Sequence, residues 1–136
     1  MDVQRLADGL WRWTTPEVGC VYYEAPDAVV LFDPLVPAGE EEEFLAYLDR
    51  DVERLDLPVS ILLTAARNER SASLLCERYR ADDRVPATVE VHPVAGALAY
   101  FIRPHGALVV ATPDLSPAAS TELPVELVLV SELTLR

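Results

Sequence analysis

The sequence predicts a layered α/β domain, α+β in the order of its elements, with a mixed β-sheet and two main helices in a single unit spanning 1–136. Three observations carry that expectation. The chain opens with short segments of alternating large and polar side chains. A run that is apolar on both faces, Ala28-Val29-Val30-Leu31-Phe32, reads as a strand covered from two sides. Strand, turn and helix then follow one another twice.

In chain order, Leu10-Trp11-Arg12-Trp13-Thr14 and Cys20-Val21-Tyr22-Tyr23-Glu24 read as the first strands, separated by a turn at Pro16 to Gly19. The apolar run ends at Asp33-Pro34. Glu40, Glu41, Glu42 and Glu43 follow Gly39 and suit a helix N-terminus, where negative charge is favourable. Phe44, Leu45, Leu48, Val52 and Leu55 form its apolar stripe. Val59 to Thr64 is the next strand, and Ser71 to about Arg80 the second helix, with Leu75, Cys76 and Tyr79 facing inward. The right-handed crossover rule places both helices on one face of the sheet. Thr88 to His92 alternates as a strand. Ala97 to Ile102 and Ala107 to Thr112 form a hairpin around Pro104-His105-Gly106, and Val125 to Val130 is the last strand.

With 51% of its 136 residues hydrophobic, the chain can form a real core. Its net charge of −12 repels nucleic acid and anionic membrane surfaces, so neither is an expected partner. The N-terminus lacks a basic segment followed by an apolar stretch, and a cytoplasmic location is expected. Cys20 and Cys76 lie far apart and read as buried thiols rather than as a disulfide framework. His92 and His105, the only histidines, stand in separate contexts and read as exposed or structural. There is no Gly-x-Ser-x-Gly elbow and no glycine-rich phosphate loop.

The stretch Leu62-Leu63-Thr64-Ala65-Ala66-Arg67-Asn68-Glu69-Arg70-Ser71 resembles the metal-binding loop of the metallo-β-lactamase superfamily. There a buried strand ends in Thr-His-x-His-x-Asp-His and a helix begins at once. The histidines converge on one or two metal ions, usually zinc, whose bound water becomes the nucleophile. Here Thr64 matches the threonine. Ala65 and Arg67 stand at the first two histidines, Glu69 at the aspartate and Arg70 at the third histidine. Val30-Leu31-Phe32-Asp33 is similar to the family strand that ends in aspartate. Asp114 after Pro113 is similar to a late Gly-Asp pair. Glu132 after Ser131 takes the place of a histidine in Ser-His-Gly.

The resemblance implies a shortened metallo-β-lactamase-like sandwich with a vestigial site at Asp33, Thr64, Ala65, Arg67, Glu69, Arg70, Asp114 and Glu132. Alanine has no donor atom, and a guanidinium stays protonated and cannot ligate a metal. No catalytic residue, metal or cofactor is therefore expected, and the reading is a non-catalytic protein that acts by association. The alternative is a divergent hydrolase, in which Asp33, Glu69, Asp114 and Glu132 would hold an oxygen-seeking cation such as Mg²⁺ or Ca²⁺. Arg67 and Arg70 argue against it, because salt bridges to Asp33, Glu69 or Asp114 would fill the site. A trimmed sandwich would also lack a covering layer. If the strands after Val89 cannot supply it, a two-fold homodimer is expected.

Overall fold

The computed structural model describes residues 1–115 and 123–133. Five strands form the first sheet in the order β1 (Asp2–Ala7), β2 (Leu10–Thr14), β3 (Gly19–Glu24), β4 (Val29–Phe32) and β5 (Val59–Leu62). All pairings are antiparallel except β4 with β5, which are parallel because α1 (Glu41–Leu55) carries the chain between them. After α2 (Ala72–Tyr79), a second sheet runs β6 (Val89–Val94), β7 (Ala97–Ile102), β8 (Ala107–Val110) and β9 (Leu127–Val130). It too ends in a parallel pair, β8 with β9.

Side-chain alternation sorts the core into layers. Cys20, Tyr22, Val29, Leu31, Val59 and Ile61 point to one face of the first sheet. Leu48 of α1 and Ala72 and Leu75 of α2 pack there, so both helices lie on one face, as expected. Val21, Tyr23, Val30, Phe32 and Leu62 point the other way and meet Val89, Tyr100, Ile102, Val109 and Leu129 of the second sheet. Every residue of β4 is buried, which is why its sequence is apolar on both faces. The strands after Val89 thus supply the second layer themselves, and the premise from which a dimer was expected is not met. The far face of the second sheet, with Phe101, Leu108 and Val110, is packed by Leu115, Leu123 and Val125.

The predicted elements recur with small shifts at their ends. The strand β1 was not anticipated, because Asp2-Val3-Gln4-Arg5-Leu6-Ala7 is mostly exposed and shows little apolar alternation. The hairpin of β6 and β7 turns on Ala95 and Gly96, both at positive φ (48° and 80°). This is the two-residue geometry that matches strand twist. The helices are tied together by Asp49, which accepts from Arg78 Nε at 2.9 Å and from the Tyr79 hydroxyl at 2.6 Å. Cys20 and Cys76 are both free; Cys20 is buried and Cys76 half-buried. Among the described residues no helix is long and apolar enough to cross a membrane.

Candidate functional site

The ends of β4 and β5 deliver Asp33 and Thr64 to the same rim, because the two strands are parallel and in register from Val29–Val59 to Phe32–Leu62. Asp33 takes a left-handed turn (φ 49°) and is fully buried. Its carboxylate accepts from Thr64 N–H at 2.8 Å and from the Thr64 hydroxyl at 2.5 Å. The Thr64 oxygen in turn accepts from Asn68 Nδ2 at 3.0 Å. The same amide nitrogen donates to Glu132 Oε2 at 3.1 Å, and Arg67 Nε donates to that oxygen at 3.0 Å. A polar chain therefore runs from the buried Asp33 through Thr64 and Asn68 to Glu132 and Arg67 at the surface.

Arg70 follows at positive φ (44°). Its guanidinium lies among three strand ends and donates to three backbone carbonyls: Asp33 O at 2.8 Å, Gly19 O at 3.2 Å and Ser131 O at 3.1 Å. It also approaches Cys20 Sγ at 3.8 Å. Burial outweighs this cation and pushes the Cys20 thiol up to about 11. Cys20 is therefore a neutral thiol near neutral pH and not a nucleophile.

The salt bridges expected from Arg67 or Arg70 to Asp33, Glu69 or Asp114 do not form. Arg67 pairs with Glu132 at 2.9 Å. Arg70 meets Asp33 through its carbonyl, because the Asp33 carboxylate is turned inward to Thr64. Glu69 is exposed and accepts from Ser73 Oγ at 2.6 Å. Asp114, in a 3-10 turn, accepts from the Thr112 hydroxyl and does not join the network. Ala65 precedes the turn Ala66–Asn68 and contributes no polar side chain. His92 lies beside Glu90 on β6, and His105 packs edge-on against Tyr23. Sequence reasoning missed Asn68, whose one signal was its place four residues after Thr64 on a turn. It also missed the side chain of Ser131, which is buried beside the Asp33 carboxyl.

Burial raises the Asp33 pKa above the ordinary aspartate range; the neighbouring Ser131 side chain, the donations from Thr64 and the nearby Arg70 charge pull the other way. A raised folded-state pKa means that the folded protein holds this proton more tightly than the unfolded chain does. Its contribution to stability is therefore full below the unfolded value, about pH 4, and is lost as pH rises through the folded value. We expect the stability of wild type relative to Asp33→Asn to be greatest at and below the unfolded value, about pH 4, and to shrink as pH rises above it. Urea titrations of both proteins above and below that value test this. A difference that grows with pH would rule it out.

No protein-family model matches the sequence, and no curated protein matches it. Solved structures do. VMB-1 is similar over 96% of this chain and 88% of its own, at 9% identity and a TM-score of 0.64. A metallo-β-lactamase from Erythrobacter litoralis is similar over 96% of this chain and 84% of its own, at 12% identity and a TM-score of 0.57. One from Hirschia baltica is similar over 96% and 90%, at 10% identity and a TM-score of 0.55. The chain has the metallo-β-lactamase fold.

That fold implies a metal at the loop after β5, and the residues present do not fit one. Ala65 has no donor, Arg67 and Arg70 bring fixed positive charge, and the Asp33 carboxylate is enclosed by Thr64. Among the described residues no three of His, Cys, Asp and Glu converge. What the loop of this metallo-β-lactamase fold does instead is bridge strands, with arginines where the resemblance places histidines.

Proposed function

We propose that this is a non-catalytic protein of metallo-β-lactamase fold that acts by association, not to supply a missing layer but through the exposed apolar rim at Leu98 and Val91, most simply as a two-fold dimer. One observation carries the reading. Each polar group of the loop after β5 is spent on an internal partner, and the cleft beside the loop holds no ionisable side chain. That cleft, about 550 Å³, lies between Leu63–Ala66 and the β6–β7 hairpin tip at Pro93–Leu98. Its described walls are aliphatic or backbone apart from Thr64, whose hydroxyl is already committed to Asp33. Hydrolysis needs a nucleophile, or a metal or base to make one of water. These walls offer neither. Leu98 is 37% exposed and Val91, on the paired strand, 36% exposed, which gives a partner apolar surface at the same rim.

Two measurements on the purified protein test the reading separately. Elemental analysis is expected to find transition metal far below one ion per chain; about one zinc or iron per chain would overturn the non-catalytic assignment. Light scattering at micromolar concentration is expected to show a dimer, with an interface above about 1,000 Å² in total. Leu98→Glu is expected to shift it toward monomer. A monomer at every concentration would overturn association with itself.

A further inference from the structure

The second sheet ends at β6, whose outer side carries no strand among the described residues. Arg103 N–H donates to Thr88 O at 3.0 Å, and β6 pairs with β7 from Val89–Ile102 to Val94–Ala97. Hydrogen bonding in an antiparallel pair alternates along the strand. The backbone groups of Glu90, His92 and Val94 therefore face β7, and those of Val89, Val91 and Pro93 face outward.

The three outward positions differ. Val89 N–H is spent on Pro86 O at 3.0 Å, and Pro93 has no N–H. Val91 is left as the one residue of β6 that presents both a donor and an acceptor on this edge, and neither has a partner among the described residues. An antiparallel strand supplies the matching pair. When that strand is β6 of a second copy, related by a two-fold axis at Val91, each Val91 N–H meets the other Val91 carbonyl.

The side chains agree with that placement. Val89 lies in the core between the sheets, and Val94 packs on the far face of the second sheet. Alternation puts Val91 and Pro93 on the inner face, with Leu98 opposite Pro93, and puts Glu90 and His92 on the far face. The inner-face patch runs past the cover of the first sheet, since Val91 is 36% and Leu98 37% exposed. On the far face Arg103 holds Glu90 Oε2. Glu90 Oε1 lies 3.5 Å from His92 Nε2, which has no hydrogen-bond partner.

That face decides both register and partner. With the axis at Val91, Glu90 stands opposite the second copy's His92, and His92 opposite its Glu90. An axis at Glu90 sets carboxylate against carboxylate, and an axis at His92 sets imidazole against imidazole. Complementary pairs directly opposite stabilise a ladder, and like charges destabilise it. An axis at Val89 or Pro93 finds no free donor at its centre. A foreign strand could match Val91, but the chain's own copy provides the complementary pair twice.

We propose that two copies of this chain pair antiparallel through β6 about a two-fold axis at Val91, which joins their second sheets edge to edge. The proposal rests on the association through the Leu98 and Val91 rim proposed above and gives it a partner strand and a register.

Disulfide trapping tests it. Residues directly opposite at such a position have Cα atoms about 5.5 Å apart, within disulfide reach. Cys20 is buried, so Val91→Cys in a Cys76→Ser background offers one reactive thiol per chain. Mild oxidation is expected to turn most of it into a covalent dimer on a non-reducing gel. Tyr47→Cys in the same background, exposed on α1, is expected to stay monomeric on that gel. Val91→Pro removes a donor that makes no bond within the chain, on an edge where proline is tolerated. It is expected to weaken the dimer by about tenfold or more in light scattering, with the far-UV circular dichroism unchanged. His92→Glu is expected to weaken it several-fold. A dimer that does not cross-link at Val91, or that Val91→Pro or His92→Glu leaves unmoved, would overturn the β6 pairing while association at the rim still stood. A monomer at every concentration would overturn both.

Discussion

Arg70→Ala is expected to destabilise the protein by about 3–5 kcal/mol, the largest effect of any single substitution in the loop after β5. The side chain donates to carbonyls at the ends of three strands: Gly19 O on β3, Asp33 O after β4 and Ser131 O after β9. Truncation removes a charge-assisted donor and leaves half-buried acceptors to find water. In urea the midpoint is expected to fall by about 1–2 M. Two further variants separate the side chain from its backbone. Arg70 sits at φ 44°, where alanine remains strained and glycine does not. Arg70→Gly should therefore be milder than Arg70→Ala by about 1 kcal/mol. Lysine, with one compact ammonium, cannot serve carbonyls that diverge around a planar fork, so Arg70→Lys should recover only part of the loss. A midpoint for Arg70→Ala within about 0.3 M of wild type would show that the guanidinium is not a strut.

The second large effect is expected at Gly19. A Cβ added there would lie 2.6 Å from Val130 O, a backbone atom that cannot rotate away. At this point β3 and the segment after β9 run together, with Gly19 N–H donating to Ser131 O at 2.8 Å and Leu133 N–H to Glu17 O at 3.0 Å. Gly19→Ala must push the two backbones apart, break these bonds and disturb the Arg70 contacts to Gly19 and Ser131. Overpacking of this kind costs about 2–3 kcal/mol, which corresponds to a fall in Tm of about 10 °C. Gly39→Ala is the control. That residue has positive φ (84°) but nothing within 4 Å of a new Cβ, so only the smaller conformational cost applies. A thermal melt in which Gly19→Ala behaves no worse than Gly39→Ala would refute the close approach.

Those two residues also show what was legible in the sequence and what was not. Apolar periodicity is a property of single segments, and it placed β2 to β5, both helices and the late strands. The frame around Thr64 was legible because an apolar strand, a short polar turn and a helix are each local. Partner choice is not local. Arg67 and Arg70 were expected to neutralise carboxylates, since opposite charges in one loop suggest pairing. In the structure Arg67 reaches Glu132, while Arg70 crosslinks carbonyls whose nearness depends on where β3 and β9 meet. Asp114, which the resemblance places at an aspartate, is turned to Thr112. Gly19 read only as the end of a turn, because the atom that requires it to be glycine belongs to Val130.

The seam between β3 and the end of β9 joins Glu17 and Gly19 to Ser131 and Leu133, which lie far apart in the sequence. Closing so long a loop is entropically slow, whereas the hairpins β1–β2, β2–β3, β6–β7 and β7–β8 close locally. The seam is therefore expected to form late, after each sheet has assembled. Interactions that are absent from the folding transition state act on the rate of unfolding rather than on the rate of folding. Arg70 and Gly19 would then work as a kinetic latch, governing how long the protein stays folded once it has arrived and having little to do with how fast it gets there.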